Sequence, residues 1–215
     1  YEIAQCLVGS EMCIRDSFKL IFSDFLWFVR FLVYLCKLKI AIFNDYMTQV
    51  KINDSVLRKA AEAGMDEFVQ AFVDAIRNAL GGELNAQNMA ELNSDQITLL
   101  AWDVLHQEMM DGGMVQLIHN GYGGFIFKNP TDKAFRNWGV AGLYKLINKA
   151  HKCYNLAHED IERDMSDEEF MALYEKYPFF DDFDDDFVEN EEQWTAQVAC
   201  YIDEHIELFA TVEEK

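Results

Sequence analysis

The chain has 215 residues, 51% of them hydrophobic, with 2 prolines and a formal net charge of −20 from 18 Lys+Arg against 38 Asp+Glu. This is the length of one ordinary domain, too apolar for a disordered chain and too poor in proline for a collagen-like or Pro-rich class. It is too acidic to hold nucleic acid through phosphate neutralisation, so no direct nucleic acid binding is expected.

The charge is unevenly placed. Residues 1–46 carry five basic and five acidic residues, so the whole −20 belongs to 47–215. The run from Cys6 to Asp16 resembles the in-frame translation of a transposon-type sequencing adapter, and Tyr1, Glu2 and Ile3 fit its outer end. Residues 1–17 are therefore read as an artefact of assembly and set aside. Residues 18–46 are read as upstream sequence translated in frame, with Met47 as the start; the alternative is a hydrophobic anchor. The apolar stretch from Phe25 to Cys36 contains Arg30 and is followed by Lys37 and Lys39. A membrane span needs about 20 apolar residues, and a secretory signal puts its charges first, so no membrane association is expected.

From Met47 onward the periodicity is helical. Val56, Leu57, Ala60 and Ala61, then Phe68, Val69, Phe72, Val73, Ile76 and Leu80, follow steps of three and four. Gly64 and Asp66 divide this into two helices, and Gly81 and Gly82 end the second. Asn93, Ser94 and Asp95 open a helix whose apolar face is Ile97, Leu100, Ala101, Val104 and Leu105. Gly112 and Gly113 end it, and a short helix Met114–His119 follows. Residues 120–127 read as a turn. Thr131 caps a helix through Phe135, Trp138, Leu143, Leu146 and Ile147. Ser166 to Glu169 is a capping box ahead of Phe170, Leu173 and Tyr174. A last helix begins near Asn190 and carries Trp194, Val198, Tyr201, Ile202 and Leu208. No strand of convincing length and no solenoid repeat appear. The expected fold is all-α: residues 47–215 as a single compact multi-helix domain with no substantial sheet. Of the cysteines in that span, Cys153 and Cys200, with no CxxC, read as ordinary buried thiols of a cytoplasmic protein.

The acid is concentrated at the C-terminal end. Residues 47–153 hold 10 basic and 12 acidic residues; residues 154–215 hold 3 and 21. Aromatics at 180, 183 and 187 interrupt the acid, so they pack inward while the carboxylates face water. One reading is a solvated face. The other is a binding surface for a basic partner, in which Asp181, Asp182, Asp184, Asp185, Asp186, Glu189, Glu191 and Glu192 stand in for duplex phosphates. A calcium loop starting at Asp182 fails, because its sixth position is Phe187 and its twelfth is Gln193.

Other chemistry is thinly supported. Gly112, Gly113, Gly121, Gly123 and Gly124 fit neither GxGxxG nor GxxxxGK[ST] and read as helix stops and turns. His106, His119, His151, His158 and His205 form no HExxH, and no metal or cofactor is expected. Asp103 and His106, three apart, could pair as acid and base, but a hydrogen bond without catalytic use is the plainer reading.

One stretch carries a resemblance. Glu108, Gly112, Gly113, Gln116 and Asn120 match in order and spacing the "E…NGG…Q…N" signature of the DNA-mimic-protein-19-like family, with Asp111 where Asn is usual and Met114 where Phe is usual. The similarity runs from about Ile97 to Ala210. It implies an all-helical, acidic bacterial protein and a role in transcription regulation through protein–protein interaction. The motif residues themselves read as structural. The function expected is a cytoplasmic, non-enzymatic binding protein, a DNA mimic that occupies the basic site of a DNA-binding protein; a homodimer is compatible with it. The alternative is a soluble interaction or immunity-type domain that binds a toxin or enzyme. An enzyme built on Glu108 or His106 is the least favoured reading.

Overall fold

A computed structural model describes residues 48–82, 85 and 88–214. The expectations for residues 1–17, for 18–46 and for Met47 as the start lie outside the described residues. Within them a strand β1 (Lys51–Asn53) leads into helix α1 (Asp54–Ala63) and helix α2 (Met65–Leu80). The Asn53 side chain caps α1 by accepting the Ser55 N–H at 3.0 Å. The break at Gly64 falls where the sequence places it. Phe68, Val69, Phe72, Val73 and Ile76 form the buried face of α2.

Helix α3 (Ser94–Asp111) opens on a capping box: Asn93 Oδ1 accepts the Gln96 N–H at 2.8 Å, and Gln96 Oε1 accepts the Asn93 N–H at 3.1 Å. The expected apolar face was too narrow. Leu99, Trp102 and Met109 are buried as well, and α3 is covered on most of its circumference. It is the central helix, packed by α2 and by the helices that follow.

After the Gly112 turn comes α4 (Gly113–His119). Residues 120–127, expected as a turn, contain a short helix α5 (Gly123–Phe127). A helix this short is not stable alone; burial of Ile126 and Phe127 supplies what propensity lacks. The single helix expected from Thr131 through Ile147 is two, α6 (Thr131–Asn137) and α7 (Ala141–Ile161). Gly139 between them has φ +83°, the left-handed conformation that glycine adopts without penalty. Nor does Thr131 cap α6: Pro130 holds that position.

Helix α8 (Asp167–Lys176) begins on the expected capping box, with the Ser166 N–H donated to Glu169 Oε2 at 3.0 Å. A 3₁₀ turn, Pro178–Phe180, then leads into α9 (Asp181–Glu204). This helix starts nine residues before the expected Asn190. Two causes are visible. Phe180 and Phe187 are fully buried, and the exposed Asp181 and Asp182 occupy the first turn, where the helix dipole favours negative charge by about 0.3–1 kcal/mol each. The expected helix also ends early. Leu208 belongs to a separate turn, α10 (Ile206–Phe209), and strand β2 (Thr211–Glu213) follows.

The two strands pair in parallel, Ile52 opposite Val212, and form the whole sheet among the described residues. Three residues each are too few to show alternation in sequence. The fold is all-α, as expected. No helix among the described residues is long and apolar enough to cross a membrane. The expectation of two buried thiols needs correction. Cys153 is half-buried, but Cys200 lies exposed on the outer side of α9; both are free.

Candidate partner-binding surface

Helix α9 has two chemically different sides. At about 100° per residue, Phe187, Trp194, Thr195, Val198 and Ile202 fall within an arc of about 100°, and all are buried. Phe187 and Trp194 meet edge to face at 5.5 Å between ring centres, and Phe187 lies 6.2 Å from Trp102 of α3. This aromatic seam fixes the rotation of the helix.

The opposite side carries the acid. Asp181, Asp182, Asp185, Asp186, Glu189 and Glu192 are exposed, and the same helical arithmetic places them within an arc of about 140°. Exposed Asp203 and Glu204 continue the arc at the far end of the helix. The six span about 17 Å of axis, one carboxylate per about 3 Å. Among the described residues no Lys or Arg forms an ion pair with any of them. The two described cations of 154–214 are engaged elsewhere. Lys176 Nζ lies 2.7 Å from Asp160 Oδ2, and Arg163 meets Asp160 and Glu169. Lys176 first, then the Tyr177 hydroxyl donated at 2.8 Å and the Arg163 charge, hold the pKa of the Asp160 carboxyl below its ordinary value.

Two of the eight residues expected on this surface are turned inward. Asp184 Oδ1 accepts the Met114 N–H at 2.8 Å, and burial lifts its pKa from 3.8 to about 6, with Asp181 and Asp185 adding to the rise. Glu191 lies 2.7 Å from His106 Nε2 and accepts the Thr195 hydroxyl at 2.8 Å. The helical period explains both: seven residues apart, they share the buried arc with Phe187 and Trp194. That spacing was present in the sequence.

The motif residues gather around the turn between α3 and α4, whose Gly113 lies against Asp184. Glu108 Oε2, on the last turns of α3, accepts from Asn120 Nδ2 at 2.8 Å and Gln116 Nε2 at 3.2 Å, clasping α4 back onto α3. Gly113 has φ +72°, and a Cβ there would collide with the Asp184 carboxylate. Tyr174 of α8 donates its hydroxyl to the Gly112 carbonyl at 2.9 Å. The motif thus shapes the turn on which α9 rests.

The other candidate chemistry separates. Asp103 and His106 do not pair: Asp103 bonds to Arg77 of α2 and accepts from Gln107 Nε2 at 2.8 Å, while His106 faces Glu191. Burial raises the Asp103 pKa against the pull of Arg77. The stretch tested as a calcium loop, from Asp182, is continuous helix.

A family model described as DMP19-like protein matches residues 90–205. The chain belongs to the DMP19-like family. The matched span runs from the turn before α3 through α9, so it contains the motif, the seam and the acidic arc. A relative from Neisseria meningitidis serogroup B (strain ATCC BAA-335 / MC58), named DNA mimic protein DMP19, is 29% identical over 168 residues. That alignment takes in 77% of this chain and 98% of the relative. In this member of the DMP19-like family, Met114 is fully buried, so the residue that departs from the resembled signature is a large apolar side chain in the interior.

Proposed function

We propose that this protein is a non-enzymatic DNA mimic, with the exposed arc of α9 occupying the basic DNA-reading site of a DNA-binding protein. The observation that carries the reading is the set of six exposed carboxylates on one helix that form no ion pair with a cation among the described residues. Their spacing, one per about 3 Å, is close to that of a single strand in duplex DNA, about one phosphate per 3.4 Å of axis. The seam on the other side holds the charges in place, so binding need not order them. The name of the Neisseria relative points the same way. On this reading Asp181, Asp182, Asp185, Asp186, Glu189 and Glu192 make the contacts, Asp184 and Glu191 support the helix, and the setting is the bacterial cytoplasm.

The reading is tested by capturing partners from a lysate of the parent organism on the immobilised protein. DNA-binding proteins should be retained, released by added duplex DNA, and lost as salt rises from 50 to 200 mM. A variant combining Asp181→Asn, Asp182→Asn, Asp185→Asn and Asp186→Asn should keep its fold and lose the partners. Retention of a toxin or enzyme that ignores both salt and these substitutions would favour the immunity-type alternative instead.

A further inference from the structure

Asp184 is the one carboxylate of the first turn of α9 that the proposed surface does not use. Its carboxyl group fills the space that a side chain at Gly113 would need, and it accepts the Met114 N–H at 2.8 Å. Three parts of the fold meet at this point: the turn between α3 and α4, the first turn of α9, and Tyr174 of α8, which bonds to Gly112. The titratable groups facing Asp184 are Tyr174 from α8 and Asp181 and Asp185 from its own helix; α4 offers a backbone N–H. Among the described residues no cation pairs with it.

We propose that Asp184 is a proton-operated latch between the acidic helix and the α3–α4 turn, closed when neutral and loosened when ionised. A neutral carboxyl keeps a carbonyl oxygen for the Met114 N–H and is buried at low cost. An ionised one stays partly desolvated with a single hydrogen-bond donor and two like charges nearby, and local opening lets it rehydrate. Burial places the transition at about 6, just below neutrality. Asp181, Asp182 and Asp185 ride on the same turn, so the latch governs how firmly that end of the acidic arc is presented. This last consequence rests on the function proposed above; the latch itself does not.

The test uses the full chain without any partner. Hydrogen exchange at the Met114 amide, corrected for the intrinsic pH dependence of exchange, reports opening of the contact. With the carboxyl at its ordinary 3.8 when open and at about 6 when closed, opening should grow about tenfold between pH 5 and pH 8. Asp184→Asn keeps an acceptor and carries no charge, so its exchange should be slow and flat over this range. Asp184→Ala should be fast and flat. A wild-type profile without slope, or the same slope in Asp184→Asn, overturns the proposal. A carboxyl-carbon NMR titration of the wild-type protein supplies a check that needs no variant: a midpoint near 6 is expected, and one near 4 refutes the latch. Because no partner enters, failure here leaves the DNA-mimic reading standing, and loss of the partner leaves the latch standing.

Discussion

Asp103 and Asp184 are both inward-facing carboxylates, one in the near-neutral part of the chain and one in the acidic part. Asp103, 5% exposed, has the Arg77 guanidinium and the Gln107 amide. Asp184 has one backbone N–H and two neighbouring aspartates. Burial pushes both pKa values up, but among the described residues only Asp103 has a cation pulling back. Where charges balance, the fold matches a buried acid with a base. In residues 154–214 both described cations are already held at Asp160 and its neighbours. Beyond the first turn, where the helix dipole favours acid, the exposed carboxylates serve either as a solvated face or as a binding surface, and the proposed function takes the second reading.

The largest loss is expected at the aromatic seam. Phe187 is fully buried, with the rings of Trp102, His106 and Trp194 around it. Phe187→Ala should lower unfolding free energy by about 3–5 kcal/mol in urea denaturation. The acidic arc should then lose its helicity first, because its like charges three and four apart repel by about 0.2–0.5 kcal/mol per pair. A smaller loss is expected at the paired acid. Arg77→Met leaves Asp103 without its cation; since the Arg77 side chain is 43% exposed, the loss should be about 2 kcal/mol, between a surface pair and a fully buried one. Thermal or urea unfolding measures it. An effect below about 0.5 kcal/mol would show that water replaces the guanidinium, and that the two acids differ less than their partners imply.

Much of this arrangement was legible in the sequence, and the misses have physical causes. The helix breaks at Gly64 and Gly112 and the caps at Asn93 and Ser166 are local signals, and each appears where it was read. The break at Gly139 is legible as well, since the step from Trp138 to Leu143 is five and a glycine follows Trp138, but a reading that joins the two apolar runs passes over it; the positive φ makes the turn plain. The early start of α9 is hard to read because an acid-rich run looks unfavourable for a helix until the dipole and the buried Phe187 are counted together. The eight-residue surface was drawn by composition. The helical period already assigned Asp184 and Glu191 to the side of Phe187 and Trp194. What no periodicity supplies is the slot at Gly113 that receives Asp184, where the hydrogen bond from Met114 joins residues 70 positions apart in the chain.

At Asp184 the expected sign reverses. Its folded pKa of about 6 lies above the ordinary 3.8, so the folded state holds the proton more tightly than the unfolded chain. The group's contribution to stability is fully present below about pH 4 and is lost as pH rises through 6. Asp184→Asn should therefore match the wild type near pH 4 and exceed it at pH 7. The gain should be about 1 kcal/mol, discounted for the water that still reaches the carboxyl. Denaturation of both proteins at several pH values measures it. A variant less stable than the wild type at pH 7 would mean that the charge strengthens the Met114 hydrogen bond by more than its desolvation costs.

Asp185 sharpens the contrast because it is the next residue. It points to water and shares its face with Asp181 and Glu189, one helical turn away on either side. Asp185→Asn relieves repulsion with Asp181, Asp182 and Glu189, three and four residues away, and with Asp184 next to it. Stability at pH 7 should change by no more than about 0.5 kcal/mol, in the favourable direction. Partner binding should weaken at low salt, with most of the loss in the association rate, because an exposed charge acts by steering. Adjacent carboxylates would then divide cleanly, Asp184 moving stability and Asp185 moving association. If Asp185→Asn instead costs stability, the exposed arc has a structural use of its own, and the unpaired acid no longer counts as an argument for a partner.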